Sequence, residues 1–580
     1  MVFLTSDRLS AGLLTRFARR RIANRYDLIA LALIGAAAVL VVHGAQQMNL
    51  PATALRSSPV VLDPARLPEY ALRSTLRMFA AIFASLIFTF VVATLAAKSR
   101  KAEMVIVPAL DILQSIPVFG FLTFTVTFFI GLFPTSELGV ELAAIFTVFT
   151  AQAWNMAFSF YQSLRTLPGD LDEVARQFGL SPWQRFTKLE LPFATPALVW
   201  NTMMSMSGGW FFVVLSEAIT VGKTTVTLPG IGSWLGLAID RRDIGAVVWA
   251  VGAMAVVILL YDQLLFRPIV AWADKFRFEQ TASQEAPRSW FYDVLRRTRV
   301  FARLWKPVAG TLARIPRLSL PRLRLARAPM GPAAWTDRAW SAAVLAVALW
   351  GSWLIVRYVT TTLSAHEVAF AFGQGLLTLA RVLVLIAIAS LIWVPIGVWI
   401  GLRPAWSQRI QPVAQFLAAF PANVLFPIAV VLIIAWRLDP NIWLSPLIIL
   451  GTQWYILFNV VAGASALPGD LKEAAGVFRM RSWQRWRDFI LPGIFPYYVT
   501  GALTASGGSW NASVVAEVVS WGHTRLEAAG LGAYIAKATT AGDFPRVALG
   551  VTVMSVFVIV LNRSVWRPMY AYAERHLRLD

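Results

Sequence analysis

Leu167-Pro168-Gly169-Asp170-Leu171 returns 300 residues later as Leu467-Pro468-Gly469-Asp470-Leu471. The two copies stay in register through Trp183-Gln184-Arg185 and Trp483-Gln484-Arg485, then Pro192 and Pro492, to Glu217 and Glu517. About 19 of the 51 aligned positions from 167 to 217 are identical, where average residue usage gives roughly 6% by chance. A period this long marks a duplicated domain and not a solenoid. Downstream, Gly230/Gly530, Gly232/Gly532 and Arg267-Pro268/Arg567-Pro568 keep the same shift. Upstream the shift becomes 304, pairing Arg77 with Arg381 and Pro108 and Pro117 with Pro412 and Pro421, so only a loop length separates the halves there.

The chain around the repeat is apolar. Of 580 residues, 57% are hydrophobic and 14% charged, and mean hydropathy is +0.62, which excludes a soluble domain with a charged surface. Uninterrupted apolar runs such as 28–42, 78–97 and 342–356 approach the ~20 residues that carry a helix across the hydrocarbon. No segment alternates with the dyad rhythm of a membrane barrel. The predicted fold is therefore an all-α, polytopic membrane protein of about twelve spans. Six fall near 28–43, 72–97, 105–133, 138–162, 192–219 and 246–265, and six near 336–357, 368–402, 409–435, 442–462, 493–519 and 546–562. In each third span a proline, Pro117 or Pro421, is placed to split a short helix from a longer one. Six is even, so the halves are expected to run parallel, related by an axis along the membrane normal.

Charge supports that count. Net charge is +21, yet Lys and Arg lie between apolar runs, so they report topology and no nucleic-acid partner is expected. Residues 1–27 form a basic N-terminus placed in the cytoplasm, as are Lys98, Arg100, Lys101, the 163–191 loop and the 575–580 tail. Between a first permease domain, 28–274, and a second, 336–574, lies a basic, proline-containing linker at 275–335. Its basic residues, interleaved with Leu, Phe and Trp, suit either an amphipathic helix on anionic lipid or disorder. With no cysteine and four histidines, disulfides are excluded and neither a metal site nor a cofactor is expected in this chain.

The loop between the fourth and fifth spans, 163–191 and again 463–491, is polar, yet it is the most similar part of the repeat. Asp170 is placed to cap a short helix with Glu173 completing a capping box, and Leu171, Val174, Ala175 and Phe178 fall on one face. Gly179 suits a left-handed stop, and Ser181 caps a second helix with Pro182 in its first turn. Asp470, Leu471, Glu473, Ala474, Ala475, Phe478 and Ser482 repeat the plan. On periodicity alone, the apolar stripe fits burial against the chain's own helices as well as docking to a partner.

Glu173-Val174-Ala175, Gly179 and Leu189-Glu190-Leu191-Pro192, with Glu473-Ala474-Ala475 and Phe489-Ile490-Leu491-Pro492, resemble the "EAA" loop of binding-protein-dependent ABC permeases. The resemblance covers most of both halves and implies a type I ABC importer-like fold of two pseudo-symmetric six-helix halves. It places Asp170, Glu173, Ala175 and Gly179, with Asp470, Glu473, Ala474, Ala475 and Arg479, at the groove of two ABC ATPase subunits or domains, which hold the ATP and Mg. Arg479 stands where the family has Gly, so the second turn is expected to differ and the two ATPase contacts to be unequal.

No phosphate-cradling G-x-x-x-x-G-K-[ST] loop is present; Gly222-Lys223-Thr224 imitates its end, but Glu217 occupies the first glycine position. The chain is thus read as a translocation subunit without catalytic residues, its motor a separate polypeptide. The resemblance also implies a periplasmic or lipid-anchored substrate-binding protein and a bacterial inner-membrane location with both termini cytoplasmic. Within the family, the Leu-Pro-Gly-Asp-Leu lead, the Trp210/Glu217 and Trp510/Glu517 segments and the terminal Arg-Pro most resemble permeases for nitrate, sulfonates, taurine and related anions. Bicarbonate belongs with these. Another small polar solute such as an amino acid is the first alternative, and a secondary transporter the alternative of another class.

An anion path wants amide, indole or hydroxyl donors. The candidates are Gln152, Trp154, Asn155 and Trp210 in the first half and Gln453, Trp454, Asn459, Trp510 and Asn511 in the second; helix–helix hydrogen bonding suits each as well. Glu217 and Glu517 are read as structurally paired, because a carboxylate in a span is costly alone. Arg77 and Arg381 are expected to snorkel to the headgroups.

Overall fold

The computed structural model describes residues 25–47, 60–115, 118–133, 136–221, 224–276, 289–298, 333–467, 473, 475 and 477–576. Most of the 275–335 linker and of the basic N-terminus, together with Asp470, Leu471 and Ala474, lies outside the described residues.

The first half contributes α1 (Arg25–Gln47), α2 (Leu67–Lys98), α3 (Arg100–Ser115), α4 (Val118–Leu132) and α5 (Leu138–Arg165). The short helices α6 (Gly169–Gln177) and α7 (Pro182–Arg185) follow, then α8 (Leu191–Glu217), a hairpin β1 (Ala218–Val221) and β2 (Thr224–Thr227), α9 (Ile231–Asp240), α10 (Ile244–Tyr261) and α11 (Arg267–Ala273). After α12 (Trp290–Arg297), the second half opens with α13 (Ala333–Thr362), α14 (Ala365–Gly401), α15 (Pro404–Ala419) and α16 (Phe426–Ala435). It continues with α17 (Pro440–Trp443), α18 (Ser445–Leu450), α19 (Gln453–Ala466), α20 (Ser482–Gln484) and α21 (Leu491–Ala516). The hairpin β3 (Val518–Trp521) and β4 (Thr524–Glu527), α22 (Leu531–Ala541), α23 (Phe544–Leu561) and α24 (Arg567–His576) complete it.

Seven described helices are long and apolar enough to cross a membrane, nine if two bent pairs each count as one span. Helix also occupies each of the twelve stretches predicted as spans. Proline breaks the third span of the second half where expected, while Pro117 lies outside the described residues. Helix α3 ends at Ser115 and α4 starts at Val118, while Pro421 separates 412–419 from 422–435 with a 77° bend. The two antiparallel hairpins, in register Ala218↔Thr227 and Val518↔Glu527, were not predicted by the all-α reading. They are four-residue strands inside loops, too short for an alternating pattern to register.

The duplicated Leu-Pro and Arg-Pro pairs gain a physical reason. Each follows a π-helical turn, Phe186–Glu190, Asp262–Phe266, Arg485–Ile490 or Asn562–Trp566, and in each the residue before proline bonds five residues back, as Leu191 does to Phe186. Proline lacks an N–H and its ring crowds the carbonyl four residues earlier; a π turn widens the helix at that place and lets it run on.

The chain divides into two compact units: residues 1–46, 162–200 and 260–328 in one, and 47–161, 201–259 and 329–580 in the other. In the smaller unit, α12 is held by polar contacts, including Arg297 to the Tyr26 hydroxyl at 3.0 Å and Trp290 Nε1 to Gln263 Oε1 at 3.2 Å. The larger unit carries the main apolar core, built chiefly from α14, α19, α21, α22 and α23 around buried residues such as Val382, Ile448, Val460, Trp510 and Met554.

Candidate functional site

The first loop folds as two short helices joined by a turn, but it starts differently from the prediction. Helix α6 begins at Gly169 behind Pro168, so Asp170 lies in the first turn beside Asp172 and is not the cap. Both carboxylates there favour the positive end of the helix dipole. The stop is as expected: Gly179 takes φ +65°, its N–H bonds the Arg176 carbonyl, and the Leu180 N–H reaches back to Ala175. That pair of bonds is the Schellman arrangement. Ser181 then caps α7, its hydroxyl accepting from the Gln184 N–H while Gln184 Oε1 accepts from the Ser181 N–H.

The second copy keeps the turn in spite of Arg479. Arg479 adopts φ +47°, and the Met480 N–H bonds the Ala475 carbonyl as Leu180 bonds Ala175. The expected change of turn shape therefore does not occur, because the bond to the freed helix carbonyl outweighs the ~1–2 kcal/mol that a Cβ costs in this region. Ser482 is also not the cap. It occupies the first helical position, where Pro182 stands in the first copy, and Arg481 precedes it with its N–H donated to Gln484 Oε1.

The apolar stripe splits between the two predicted faces. Ala175 and Ala475 are buried beneath their helices, whereas Phe178 and Phe478 are each 79% exposed and Val477 is 80% exposed. Glu173 and Glu473 are exposed on the same loops.

A contact network absent from the sequence reading ties the first loop together. Arg185 bridges Asp172 at 2.6 Å and Glu190 at 2.9 Å, and Arg176 adds a second bond to Asp172 at 2.7 Å. In the second copy Arg485 is retained, but Lys472 and Ile490 replace the two carboxylates. Among the described residues Arg485 makes no ion pair.

Of the candidate pathway residues, several are engaged in packing within the larger unit. Gln152 is buried with Nε2 3.1 Å from Met78 Sδ, and a Cβ on Gly209 would come within 2.3 Å of that nitrogen. Trp210 and Trp510 are buried, the latter stacked on Phe557. Trp154 packs edge-on against Phe88 and Phe149. Gln453 Oε1 accepts from Trp393 Nε1, Trp454 lies against the same indole, and Asn459 bonds back to the Tyr455 carbonyl. Asn155 is half-buried. Gln152, Trp210 and Trp510 are buried, large polar-tipped side chains that fill the space between helices.

Asn511 does something more specific. Its Oδ1 accepts from the Val118 N–H at 2.7 Å, capping α4 where the third span breaks. At the matching place in the other half, Asn423 Nδ2 donates to the Phe211 carbonyl at 2.9 Å, and Ser207 bonds the Ala418 carbonyl. Each broken third span is thus fastened to the fifth-span helix of the opposite half.

Arg77 and Arg381 are paired inside the protein. Arg77 is fully buried and grips Glu141 with Nε and Nη2 at 2.6 and 2.7 Å, Glu217 with Nη1 at 2.7 Å, and the Pro229 carbonyl at 3.0 Å. Arg381 bonds Glu517 at 2.6 Å and the Ala529 carbonyl at 3.1 Å. Partners 64 and 140 residues away decide against snorkelling, and they supply the pairing expected for Glu217 and Glu517. The Gly232 N–H and the Ala533 N–H complete the two carboxylates.

With these features in place, comparison with known proteins is direct. The family described as "Binding-protein-dependent transport system inner membrane component" matches residues 87–267 and again 393–575, which together make up more than half of the chain. The chain belongs to this family. It carries the family's domain twice, as a fused duplication. Among its relatives are the bicarbonate transport system permease protein CmpB of Synechococcus elongatus, 29% identical over 194 residues, and the nitrate import permease protein NrtB of Leptolyngbya laminosa, 28% identical over 194 residues. Each alignment covers 33% of this chain and 66% of the relative. The glycine betaine/carnitine transport permease protein GbuB of Listeria monocytogenes is 29% identical over 170 residues, 29% of this chain and 54% of that protein. The chain thus spans just under two thirds, or less, of the relatives it matches.

Proposed function

We propose that this fused permease is the translocation subunit of an ATP-driven importer for a small anion of the bicarbonate or nitrate kind. The observation that carries it is the pair of loops. Each sets an uncovered phenylalanine and an exposed glutamate on a turn held in the same left-handed geometry, and each runs through a π turn into a fifth-span helix. Two ATPase subunits, holding ATP and Mg, are the occupants of these loops, and their closure is what moves α8 and α21 between inward-open and outward-open states. The anion reading rests on what CmpB and NrtB are named for. A bacterial inner-membrane location with cytoplasmic termini and delivery by a binding protein belong to the same proposal.

The test is reconstitution of the chain with its ATPase and binding protein in proteoliposomes. Labelled bicarbonate, nitrate, taurine and glycine betaine are offered in turn, with an amino-acid panel as the contrasting class. ATP-dependent anion uptake, lost on joint Glu173→Ala and Glu473→Ala substitution while ATP hydrolysis persists, is the expected result. Uptake by the chain alone, driven by an ion gradient, would overturn it in favour of secondary transport, and betaine uptake would replace the anion.

A further inference from the structure

The two loops share a backbone but not a charge. Residues 169–191 carry Asp170, Asp172, Glu173 and Glu190 against Arg176, Arg185 and Lys188. Residues 469–491 carry Asp470, Glu473 and Asp488 against Lys472, Arg479, Arg481, Arg485 and Arg487. In the first, Arg185 and Arg176 are neutralised by Asp172 and Glu190. In the second, Arg479, Arg481 and Arg485 are exposed and, among the described residues, make no ion pair. They lie on the segment that begins at the exposed Phe478. Arg479 is moreover held at φ +47° where the first copy has glycine, a backbone cost tolerated for a side chain that finds no partner within the described residues.

We infer that the second loop docks to an acidic surface of the ATPase through Arg479, Arg481 and Arg485 around Phe478, whereas the first loop docks through Phe178 on a face whose arginines are already paired internally. The inference rests on the proposed function and adds the chemistry of the partner. Three exposed guanidiniums that make no ion pair among the described residues, beside an uncovered aromatic ring, fit a carboxylate-rimmed apolar groove, with charge setting the approach and the ring filling the centre. A loop whose arginines are already paired gains little from such a rim. The second contact is therefore the one that salt weakens.

The chain has no cysteine, so single thiols placed at the matching exposed positions, Gln177→Cys or Val477→Cys, report each loop separately. In the full complex, cross-linking to the ATPase is measured from ~50 to ~500 mM salt, a range over which the screening length shortens about threefold. The expected result is a several-fold fall in yield at 477 and less than a twofold change at 177. Installing the first copy's residues, Arg479→Gly with Arg481→Ser, should lower the 477 yield at low salt and flatten its salt dependence. Equal salt dependence at both thiols, or no effect of the double substitution, would overturn the inference. So would protection of the 477 thiol by phosphatidylglycerol vesicles without any ATPase cross-link, which would assign the basic face to lipid. No cross-link at either position would instead remove the proposed function.

Discussion

Arg77 and Arg381 sit at matching places in the two halves and make the same minimal unit: an arginine from the second span, a glutamate from the fifth-span helix, a backbone carbonyl before the next short helix and a backbone N–H within it. A hydroxyl at the same register, Ser74 or Thr378, accepts from the N–H of Ile231 or Leu531. This unit pins the segment that follows each hairpin to two long helices, which explains why these residues recur. The halves differ in what is added. Glu141 in the first half brings α5 into the cluster through a bidentate pair, whereas Arg381 pairs with Glu517 and no second carboxylate among the described residues. One half closes with three helices locked by charge, the other with two.

The largest expected effect separates them. Arg77→Ala leaves two buried carboxylates facing each other without a cation, an arrangement worth about 3–5 kcal/mol of destabilisation. Arg381→Ala leaves one carboxylate that keeps the Thr378 hydroxyl and the Ala533 N–H, at a site where the arginine was already 12% exposed. Purification in detergent should show Arg77→Ala failing to give monodisperse protein while Arg381→Ala survives with a lowered Tm. Equal loss would remove the distinction between the halves.

A smaller effect tests what they share. A Cβ on Gly232 would lie 2.0 Å from the Val214 carbonyl oxygen, and one on Gly532 2.4 Å from that of Ser513. Gly232→Ala and Gly532→Ala should therefore each cost about 1–3 kcal/mol, as overpacking does. Gly252→Ala, which meets nothing within 4 Å inside α10, should leave Tm unchanged or slightly raised. Unequal costs at 232 and 532 would show that the common unit is less alike than its bonds suggest.

A pH effect should belong to the first half alone. Glu137 precedes α5, is 2% exposed, and its Oε2 meets no hydrogen-bond donor among the described residues. Burial pushes its carboxyl up to about 7, with the nearby Glu141 adding to the rise and Arg73 and Arg77 opposing it. The folded form then binds more protons than the unfolded form between roughly pH 4.3 and 7, so stability falls as pH rises through that window and levels off above it. Glu137→Gln should raise Tm by ~2–4 °C at pH 8 and change it little at pH 5. In the second half Asn441, an uncharged side chain, accepts the Ala529 N–H, so the same measurement on Asn441→Ala should show no pH dependence.

Duplication made much of this readable in advance. Pro192, Pro268 and Gly179 each answer a local backbone demand, and a local demand leaves a residue type at a fixed spacing. The broken third span and the left-handed stop at Gly179 were legible for that reason. The ion pairs were not. Arg77 reaches Glu141 and Glu217 across 64 and 140 residues, and no spacing rule joins them; only the joint recurrence of Arg77 with Arg381 and Glu217 with Glu517 hinted at a pair. The Arg185 bridge lies within one loop, yet it crosses the turn after Gly179, so helical periodicity does not bring its ends together. Those partners differ between the copies, which makes the difference itself the signal that was available.

The smallest effect comes from the second turn, where stability and docking should move in opposite directions. Arg479 occupies a left-handed position at the end of a helix whose last bond, Met480 N–H to Ala475, matches that of the glycine-containing copy. Arg479→Gly relieves a Cβ contact worth up to ~1–2 kcal/mol in the folded loop, offset by ~0.5–1 kcal/mol of added backbone freedom in the unfolded chain. The net gain in Tm should be one degree or less. Because the guanidinium is exposed and makes no ion pair among the described residues, nothing else in the loop is lost. If a purely structural accommodation explained Arg479, ATPase affinity would then be unchanged or slightly better. A basic docking face predicts the reverse: ATPase affinity falls two- to fivefold at low salt, the value of a surface charge contact of up to ~1 kcal/mol, while the protein itself is at least as stable. A titration of ATPase onto the detergent-solubilised chain, run beside its melting curve, reads both signs in one preparation.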